Sequence, residues 1–438
     1  MREVGVGIAG FGTVGGGVLS ILRSHAREIE ARLGARIVVR RVAVRDPAKE
    51  RMIDVDAALL TTRWQELLED PGIAVVVELV GGTTEAYDIV MGALERGKHV
   101  VTANKALLAT RGDDIFRKAQ EKGVDVYYEG AVCGGVPVIR TLREALASDR
   151  IQALLGIVNG TTNFILTAMA DKGEPLAIAL AEAQRLGYAE ADPTLDVSGG
   201  DAAQKLCVLA QLAFGASLKP EDVLTEGILE LLPEDFAWAK EFGYTVKLLA
   251  VARRCGPHGG PGGDLIEARV HPALIPAGSM LAGVRGAMNA IFLRSEALGP
   301  SMLFGQGAGA MPTGSAVVSD MIDLTRNILS GSPGRVPLPP VHPLVRLRPH
   351  AEIRTSYYLR FAVKDVPGVL ARIAQTLAGR RISIAAVQQR EHHEEGGPVP
   401  LVIVTHQARE ADLRAAIQEI DRYDSTVAPT RLIRIETP

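Results

Sequence analysis

The stretch from Val4 to Val44 constrains the fold more than any other part of the chain. Val4 to Ala9 is a short apolar strand that runs straight into Gly10-Phe11-Gly12-Thr13-Val14-Gly15. The helical pattern VLSILRSHAREIEARL follows, and a second apolar strand covers Arg36 to Val44. Strand, Gly-x-Gly-x-x-Gly, helix and strand in that order is how a dinucleotide-binding βαβ unit begins. The glycines let the chain turn sharply and let a pyrophosphate approach backbone N–H groups at a helix N-terminus. The competing reading is a tight glycine turn with no ligand. An acid near the end of the second strand would bind the ribose hydroxyls of NAD, whereas an arginine would pair with the 2′-phosphate of NADP. Arg45, with Lys49 and Arg51 close by, leans towards NADP, and Asp46 keeps NAD open.

The alternation continues. A helix near Arg63 to Glu69 stops at Asp70-Pro71-Gly72, and Ile73 to Val80 is an almost unbroken apolar strand. Helices over Thr84 to Arg96 and Asp113 to Lys122 enclose the strand His99 to Thr102, and Val124 to Tyr128 is the next strand. Apolar strands alternating with helices predict an α/β fold, a Rossmann-type doubly wound parallel sheet. Ligands bind beyond the carboxyl ends of such strands. Thr83, Thr102 and Lys105 lie in loops at those ends, and topology puts Lys105 on the cofactor side, the competing reading being a surface lysine after a strand. The segment Glu129 to Pro137 is small and glycine-rich, with one carboxylate and several carbonyls. It is suited either to wrap a hard cation or merely to join two domains. Cys133 within it is the one candidate thiol nucleophile, but no histidine lies near it in sequence, so a buried inert thiol is the better reading.

Beyond Ile151 the pattern becomes α+β. Ile151 to Val158 reads as a strand leading into Asn159-Gly160-Thr161-Thr162-Asn163, with helices over Phe164 to Ala170 and Pro175 to Leu186. The stretch Gly187 to Leu206, GYAEADPTLDVSGGDAAQKL, gathers Glu190, Asp192, Asp196, Asp201 and Lys205. Asp201 and Lys205 share one face of a helix beginning near Ser198. A lone Asp/Lys pair is usually an ordinary solvated ion pair. Here the helix runs on as LCVLAQLAF, which points to burial and hence to an acid/base lysine with acids to orient it. Cys255 to Gly263 reads as a solvated loop tip. Phe304 to Gly309 precedes a helix over Ser315 to Leu329, and its glycines, Gly307 and Gly309 among them, permit close backbone approach to the nicotinamide end of a cofactor. Ser332 to Pro349 carries six prolines and reads as a linker. After it, Tyr357 to Val363, Pro367 to Leu377, Ile382 to Gln389, Val399 to His406, Ala411 to Ile420 and Val427 to Ile435 form βαββαβ, a ferredoxin-like module. His392-His393, in its hairpin loop EHHEEGGP, reads as a solvated tip in preference to a metal pair.

A chain of 438 residues with this organisation should hold about three domains. The net charge of −3 argues against a nucleic-acid partner held by bulk electrostatics. Three cysteines without paired metal-ligand spacing fit a reducing compartment. The N-terminus reads as a strand and not a signal peptide, and no apolar run reaches membrane-spanning length. The expectation is a cytoplasmic protein with no membrane partner.

With GFGTVG at Gly10 to Gly15, TANK at Thr102 to Lys105 and GYAEADPTLDVSGGDAAQKL on the page, the chain resembles the monofunctional homoserine dehydrogenases that end in an ACT domain. The likeness covers nearly the whole chain. It implies residues 1–135 as the dinucleotide-binding domain, 136–331 as the catalytic and dimerisation domain, 332–349 as linker and 350–438 as ACT domain, with no kinase domain ahead of them. It implies reversible reduction of L-aspartate 4-semialdehyde to L-homoserine with NAD(P)H. Carried over residue by residue, Lys205 would donate the proton with Lys105 as its partner. Glu190 would bind the substrate amine, with Asp196 and Asp201 shaping the pocket. A monovalent cation, by resemblance sodium, would sit on Glu129 and the carbonyls of Val132, Gly134 and Val136. Asp365, Pro367, Gly368, Val369 and Leu370 would bind an amino-acid effector, threonine by the same resemblance, and ACT pairing implies a homodimer or homotetramer. Gln204 and Gln306 depart from the histidine and proline of many relatives. Two rivals stay open: a phosphorylating semialdehyde dehydrogenase using Cys133, and a non-catalytic amino-acid sensor.

Overall fold

The computed structural model describes residues 1–51, 53–256, 264–339, 345–389 and 398–438. The chain forms two compact units, the first built from Met1–Gly160, Gly200–Val223 and Ala287–Val345, the second from Thr161–Gly199, Leu224–Gly286 and Arg346–Pro438.

In the first unit, strands β1 (Arg2–Ala9), β2 (Ala35–Ala43), β3 (Leu60–Thr61), β4 (Ile73–Glu78), β5 (His99–Thr102) and β6 (Val126–Tyr127) form a six-stranded sheet. Its order is β3-β2-β1-β4-β5-β6 and every pairing is parallel. Parallel strands are covered on both faces, which is why β4 reads IAVVVE with hardly a polar break. Helices α1 (Thr13–Ser24), α2 (Ala26–Leu33), α3 (Gln65–Glu69), α4 (Glu85–Glu95) and α5 (Lys105–Lys122) complete the crossovers. A short helix α6 (Val138–Arg140) leads to β7 (Ile151–Ile157).

Helices α7 (Gly160–Lys172), α8 (Leu176–Arg185) and α9 (Thr194–Val197) follow, and α10 (Gly200–Phe214) returns to the first unit. The second unit continues with β8 (Leu224–Thr225), α11 (Pro233–Glu241), β9 (Tyr244–Cys255) and β10 (Leu265–Pro276). Strands β11 (Met288–Ser295) and β12 (Gly299–Gln306) then pair antiparallel in the first unit, β11 also pairing with β7. The long helix α12 (Ala310–Ser330) packs on α1 and places Val317, Val318, Met321 and Leu324 in the same core as Val6, Ile8, Val18 and Val75. That approach is close: a Cβ on Gly17 would lie 1.9 Å from the Ala310 carbonyl oxygen.

The rest of the second unit is β13 (Arg346–Leu347), β14 (Arg354–Lys364), α13 (Val369–Gly379), β15 (Ile384–Gln389), β16 (Pro398–Thr405), β17 (Ala408–Arg409), α14 (Glu410–Ile420) and β18 (Thr426–Ile435). β14 lies between β16 and β18, and β15 pairs with β16, all antiparallel. One core of Tyr357, Leu359, Phe361, Ile373, Leu377, Leu413 and Ile420 joins both helices to this sheet. β18 also pairs parallel with β10, whose antiparallel neighbour is β9.

Four local expectations change. The run Val18 to Leu33 is two helices, interrupted at His25 with φ −110° and ψ 21°. α5 starts at Lys105 instead of Asp113, because the Asn104 side chain accepts the Leu107 N–H and caps it. The twelve-residue strands β9 and β10 show no alternation in sequence: β9 is buried on both faces along its centre, and β10 carries buried Glu267, Arg269 and His271 and two prolines. The proline-rich stretch contains a short strand, β13, paired with β10. Residues 257–263 of the glycine-rich tip, residues 340–344 of the linker and the hairpin loop with His392 and His393 lie outside the described residues.

Candidate active site

The glycine motif sits where the sheet positions a dinucleotide. β1 ends at Ala9 and α1 begins at Thr13, with Gly12 as an N-cap that has no side chain to occupy the first-turn N–H groups. Gly10, at φ +94°, lies so close to β4 that a Cβ would fall 2.6 Å from Leu79 carbonyl atoms, while above Gly12 the space is open. A cavity of about 340 Å³ beside it is lined by Gly10, Phe11, Gly12, Arg45, Asp46, Lys49, Arg51, Val80 and Glu85. Uncapped helix N–H groups, open backbone and nearby cations fit a dinucleotide pyrophosphate and ribose. Arg45 is exposed and 3.6 Å from Glu85, whereas the Arg51 guanidinium is turned inwards onto the Pro47 and Lys49 carbonyls. Thr13 is exposed, and Val14 and Gly15 lie inside the first turn of α1.

Buried Glu78, the last residue of β4, organises the neighbouring strand ends. Its carboxylate accepts the N–H groups of Val80 and Gly81 and the hydroxyl of Thr102 at 2.6 Å. Asn104 ties the same region to Gly82, donating from Nδ2 to its carbonyl at 2.7 Å. Exposed Thr83 follows that glycine. These bonds fix the start of α5 and therefore Lys105, its first residue.

Lys105 reaches Asp201 Oδ1 at 3.3 Å, and Lys205 reaches Oδ2 of the same carboxylate at 2.7 Å. Asp201 and Lys205 are one turn apart on α10, as their spacing requires. Lys205 also donates to the Val158 carbonyl at 2.7 Å, and Asn159 donates to Asp201 Oδ2 at 2.7 Å. Burial pushes the Asp201 carboxyl up, but Lys205, Lys105 and Asn159 together outweigh it and hold it down at about 2. One carboxylate, ionised at neutral pH, thus fixes two ammonium groups. Asn159 was missed as a site residue: the sequence shows it only as part of a polar turn, and its partner lies 42 residues away.

Beside this cluster, Cys133 adopts φ +52° and is buried. Burial pushes its thiol up to about 11, and Asn289 donates to Sγ at 3.5 Å. That is a protonated thiol, not a nucleophile at neutral pH. Glu129 is buried as well, its two oxygens accepting the N–H groups of Ile139 at 2.9 Å and Arg140 at 2.8 Å. Burial raises its carboxyl above the usual range despite these bonds. Val132, Gly134 and Val136 are buried in the same loop, and the Val136 carbonyl already accepts the Val138 N–H at 2.7 Å. A carboxylate, flanked by carbonyls with lone pairs left over, has the donor chemistry of a hard cation. Gly307 is partly buried and packs directly on Asn289, and exposed Gly309, at φ +127°, caps α12.

The homoserine dehydrogenase family profile matches residues 137–322, its NAD-binding domain matches residues 10–129, and the ACT domain matches residues 357–422. Homoserine dehydrogenase of Pseudomonas aeruginosa is 45% identical over 100% of this chain and 99% of its own length. The chain belongs to the homoserine dehydrogenase family. Like that family it is an oxidoreductase with an NAD-binding domain, a catalytic domain and a C-terminal ACT domain. The crystal structure of a homoserine dehydrogenase from Thiobacillus denitrificans superimposes with a TM-score of 0.91 at 46% identity, covering 100% of this chain and 99% of that one. A hyperthermophilic archaeal homoserine dehydrogenase in complex with NADPH matches with a TM-score of 0.60 at 28% identity, over 74% of this chain and 98% of that one.

Of the homoserine dehydrogenase residues expected to bind substrate, Glu190 and Asp196 belong to the second unit and Asp201 to the first. Glu190 is exposed in the loop after α8, its carbonyl bonded by Gln184 Nε2 at 3.1 Å, and Asp196 is half-buried in α9. In the ACT domain, a cavity of about 420 Å³ is lined by Lys364, Asp365, Val366, Gly368, Val369, Leu370, Gln389 and others. Pro367 is exposed beside it. Among the described residues no helix is long and apolar enough to cross a membrane.

Proposed function

We propose that the chain interconverts L-aspartate 4-semialdehyde and L-homoserine, with Lys205 as the proton donor and Lys105 as its partner. The observation that carries this reading is the buried Asp201 carboxylate shared by the two ammonium groups at 2.7 and 3.3 Å. A bound nicotinamide cofactor supplies or accepts the hydride at the substrate carbon. Lys205 gives its proton to the carbonyl oxygen as negative charge develops there, and Lys105 stabilises that charge. Asp201 and the Val158 carbonyl hold the Lys205 Nζ in place. In the reverse direction a neutral Lys205 takes the hydroxyl proton, so oxidation favours alkaline pH. Glu190 holds the substrate ammonium, and Asp196 and Asp201 shape the pocket.

The cations Arg45, Lys49 and Arg51 around the nucleotide cavity support NADP as the preferred cofactor. Gly10 to Gly15, Thr83, Thr102, Gly307 and Gly309 are the remaining cofactor contacts in this reading. Glu129 with the carbonyls of Val132, Gly134 and Val136 holds sodium. Threonine binds the ACT cavity through Asp365, Pro367, Gly368, Val369 and Leu370, and inhibits the enzyme. The protein works in the cytoplasm as a homodimer or homotetramer. Its domains divide at residues 135, 331 and 349.

Homoserine-dependent reduction of NADP and NAD, followed at 340 nm in roughly standard conditions, tests the activity and the cofactor preference together. Lys205→Ala should lower turnover by about 10²-fold or more while leaving cofactor binding intact. A folded, cofactor-binding Lys205→Ala protein with near-normal turnover refutes the assignment.

A further inference from the structure

The second unit contains a buried lysine that the reaction above does not use. Lys247, the fourth residue of β9, is 3% exposed and reaches Asn163 Oδ1 at 3.0 Å and the Val284 carbonyl. Among the described residues no carboxylate is paired with it; its two partners are both neutral oxygens. Burial pushes its ammonium down to about 8, with Arg285 adding to the effect and Asp171 opposing it. An apolar side chain would fill a core strand position at lower cost, so the ammonium has a specific task.

The task is legible from what Asn163 does. Its Nδ2 donates to the carbonyls of Gly286 at 2.9 Å and Val284 at 3.3 Å. One turn along α7, the Thr167 hydroxyl accepts the Gly286 N–H at 3.2 Å, and near the helix end Asp171 pairs with Arg285. Lys247 therefore sits under a seam that laces α7 to residues 284–286, bonded to both sides of it. The other side of α7 holds the acid-rich loop. Thr161 donates to the Tyr188 carbonyl at 2.6 Å, and the Phe164 and Tyr188 rings pack with centroids 4.9 Å apart. Glu190 follows two residues later.

We propose that Lys247 is a positioning residue for the amino-acid substrate: by pinning the first turn of α7 through Asn163, it fixes the Tyr188–Glu190 segment that α7 carries. This inference rests on the reading of Glu190 as the ligand of the substrate ammonium. Nothing in it concerns the cofactor or the proton transfer, so the effect should fall on KM for homoserine.

Three variants, Lys247→Met, Thr161→Val and Glu190→Ala, are assayed for homoserine oxidation at saturating NADP, with Tm measured for each. Lys247→Met and Thr161→Val should each raise KM for homoserine by about tenfold, with kcat within about threefold and KM for NADP within about twofold. Their combination should fall short of the product of the single effects, because both act through one segment. A folded Lys247→Met with wild-type KM for homoserine overturns the proposal, as does one in which kcat alone falls. If Lys247→Met does not fold, Thr161→Val decides on the same criterion. Should Glu190→Ala leave KM for homoserine unchanged, the reading of Glu190 fails and this proposal with it. If Glu190→Ala raises KM and the other two variants do not, only the role of Lys247 is refuted.

Discussion

Replacing Asp201 by Asn keeps the shape of the side chain and removes the one charge that Lys105 and Lys205 share. At 2.7 Å and an effective dielectric constant of about 20, the attraction between Lys205 and Asp201 has a ceiling of ~6 kcal/mol. Desolvation of both groups offsets much of it. An opposite charge at such a distance moves a titration by about 1–3 units, or ~1.4–4 kcal/mol. The sign follows from which form each direction needs. Removing the anion disfavours the ammonium form of Lys205, and repulsion from Lys105 pushes the same way. Oxidation needs the neutral amine, so its acid limb should move to lower pH by about 1–3 units. Reduction needs the ammonium, so its alkaline limb should move down by the same amount. Both limbs must move together, because the ratio of kcat/KM in the two directions at any pH is fixed by the reaction equilibrium. The oxidation plateau should also fall, since a weaker base accepts the proton less readily. The assay is kcat/KM against pH in both directions for wild type and Asp201→Asn. Limbs that stay put, with plateaus retained, would refute the assignment of Lys205 as the titrating group.

Four other outcomes are expected. Gly17→Ala places a Cβ 1.9 Å from the Ala310 carbonyl oxygen and must push α1 from α12, lowering stability by ~1–3 kcal/mol; an unchanged Tm would contradict the packing. Arg45→Ala combined with Lys49→Ala should raise KM for NADP about tenfold and leave that for NAD within about twofold, and an equal effect on both would remove the basis for an NADP preference. Cys133→Ser should retain homoserine oxidation, since burial holds the thiol at about 11; loss of activity in a folded variant would revive the thioester rival. In acid, Asp201 and Glu226 are both held at about 2, below their ordinary 3.8 and 4.5, by lysine and arginine partners that outweigh burial. Depressed carboxyls give stabilisation that is present above the unfolded values and lost as pH falls through the folded ones. The urea midpoint should therefore drop between pH ~4.5 and ~2; a midpoint flat over that range would contradict it.

Five of the six strands of the parallel sheet were legible between residues 1 and 128 because both signals there are local, while β3, only two residues long, carries neither. Apolar strands buried on two faces need no distant partner to be seen, and the glycines report a backbone that must turn and approach closely. The ACT module was equally plain, its amphipathic strands and helices each carrying their own period. What stayed hidden depended on distance along the chain. α12 completes the core around β1, yet its apolar face names no partner. β10 conceals its nature because Arg269, His271 and Glu267 stand at buried positions, Arg269 held between Glu267 of its own strand and Glu436 from the far end of the sequence, which also faces His271. A strand whose interior is ionic cannot be found by looking for alternating apolar residues.

The lysine cluster shows the same limit more sharply. Asp201 and Lys205 were predictable as a pair, since four residues on a helix is a geometric statement. That Lys105 takes the other oxygen of the same carboxylate is not a property of either segment. It follows from Glu78 and Asn104, which fix the ends of β4 and β5 so that α5 begins with Lys105 at that point. Motif resemblance names the residues proposed to react but not the groups that hold them. Those are found only when a buried polar atom is traced to its partner, as Asn159 is to Asp201 and Lys247 to Asn163. Buried polar groups must be satisfied, and each such bond between distant segments records a geometric constraint that no single stretch of sequence contains.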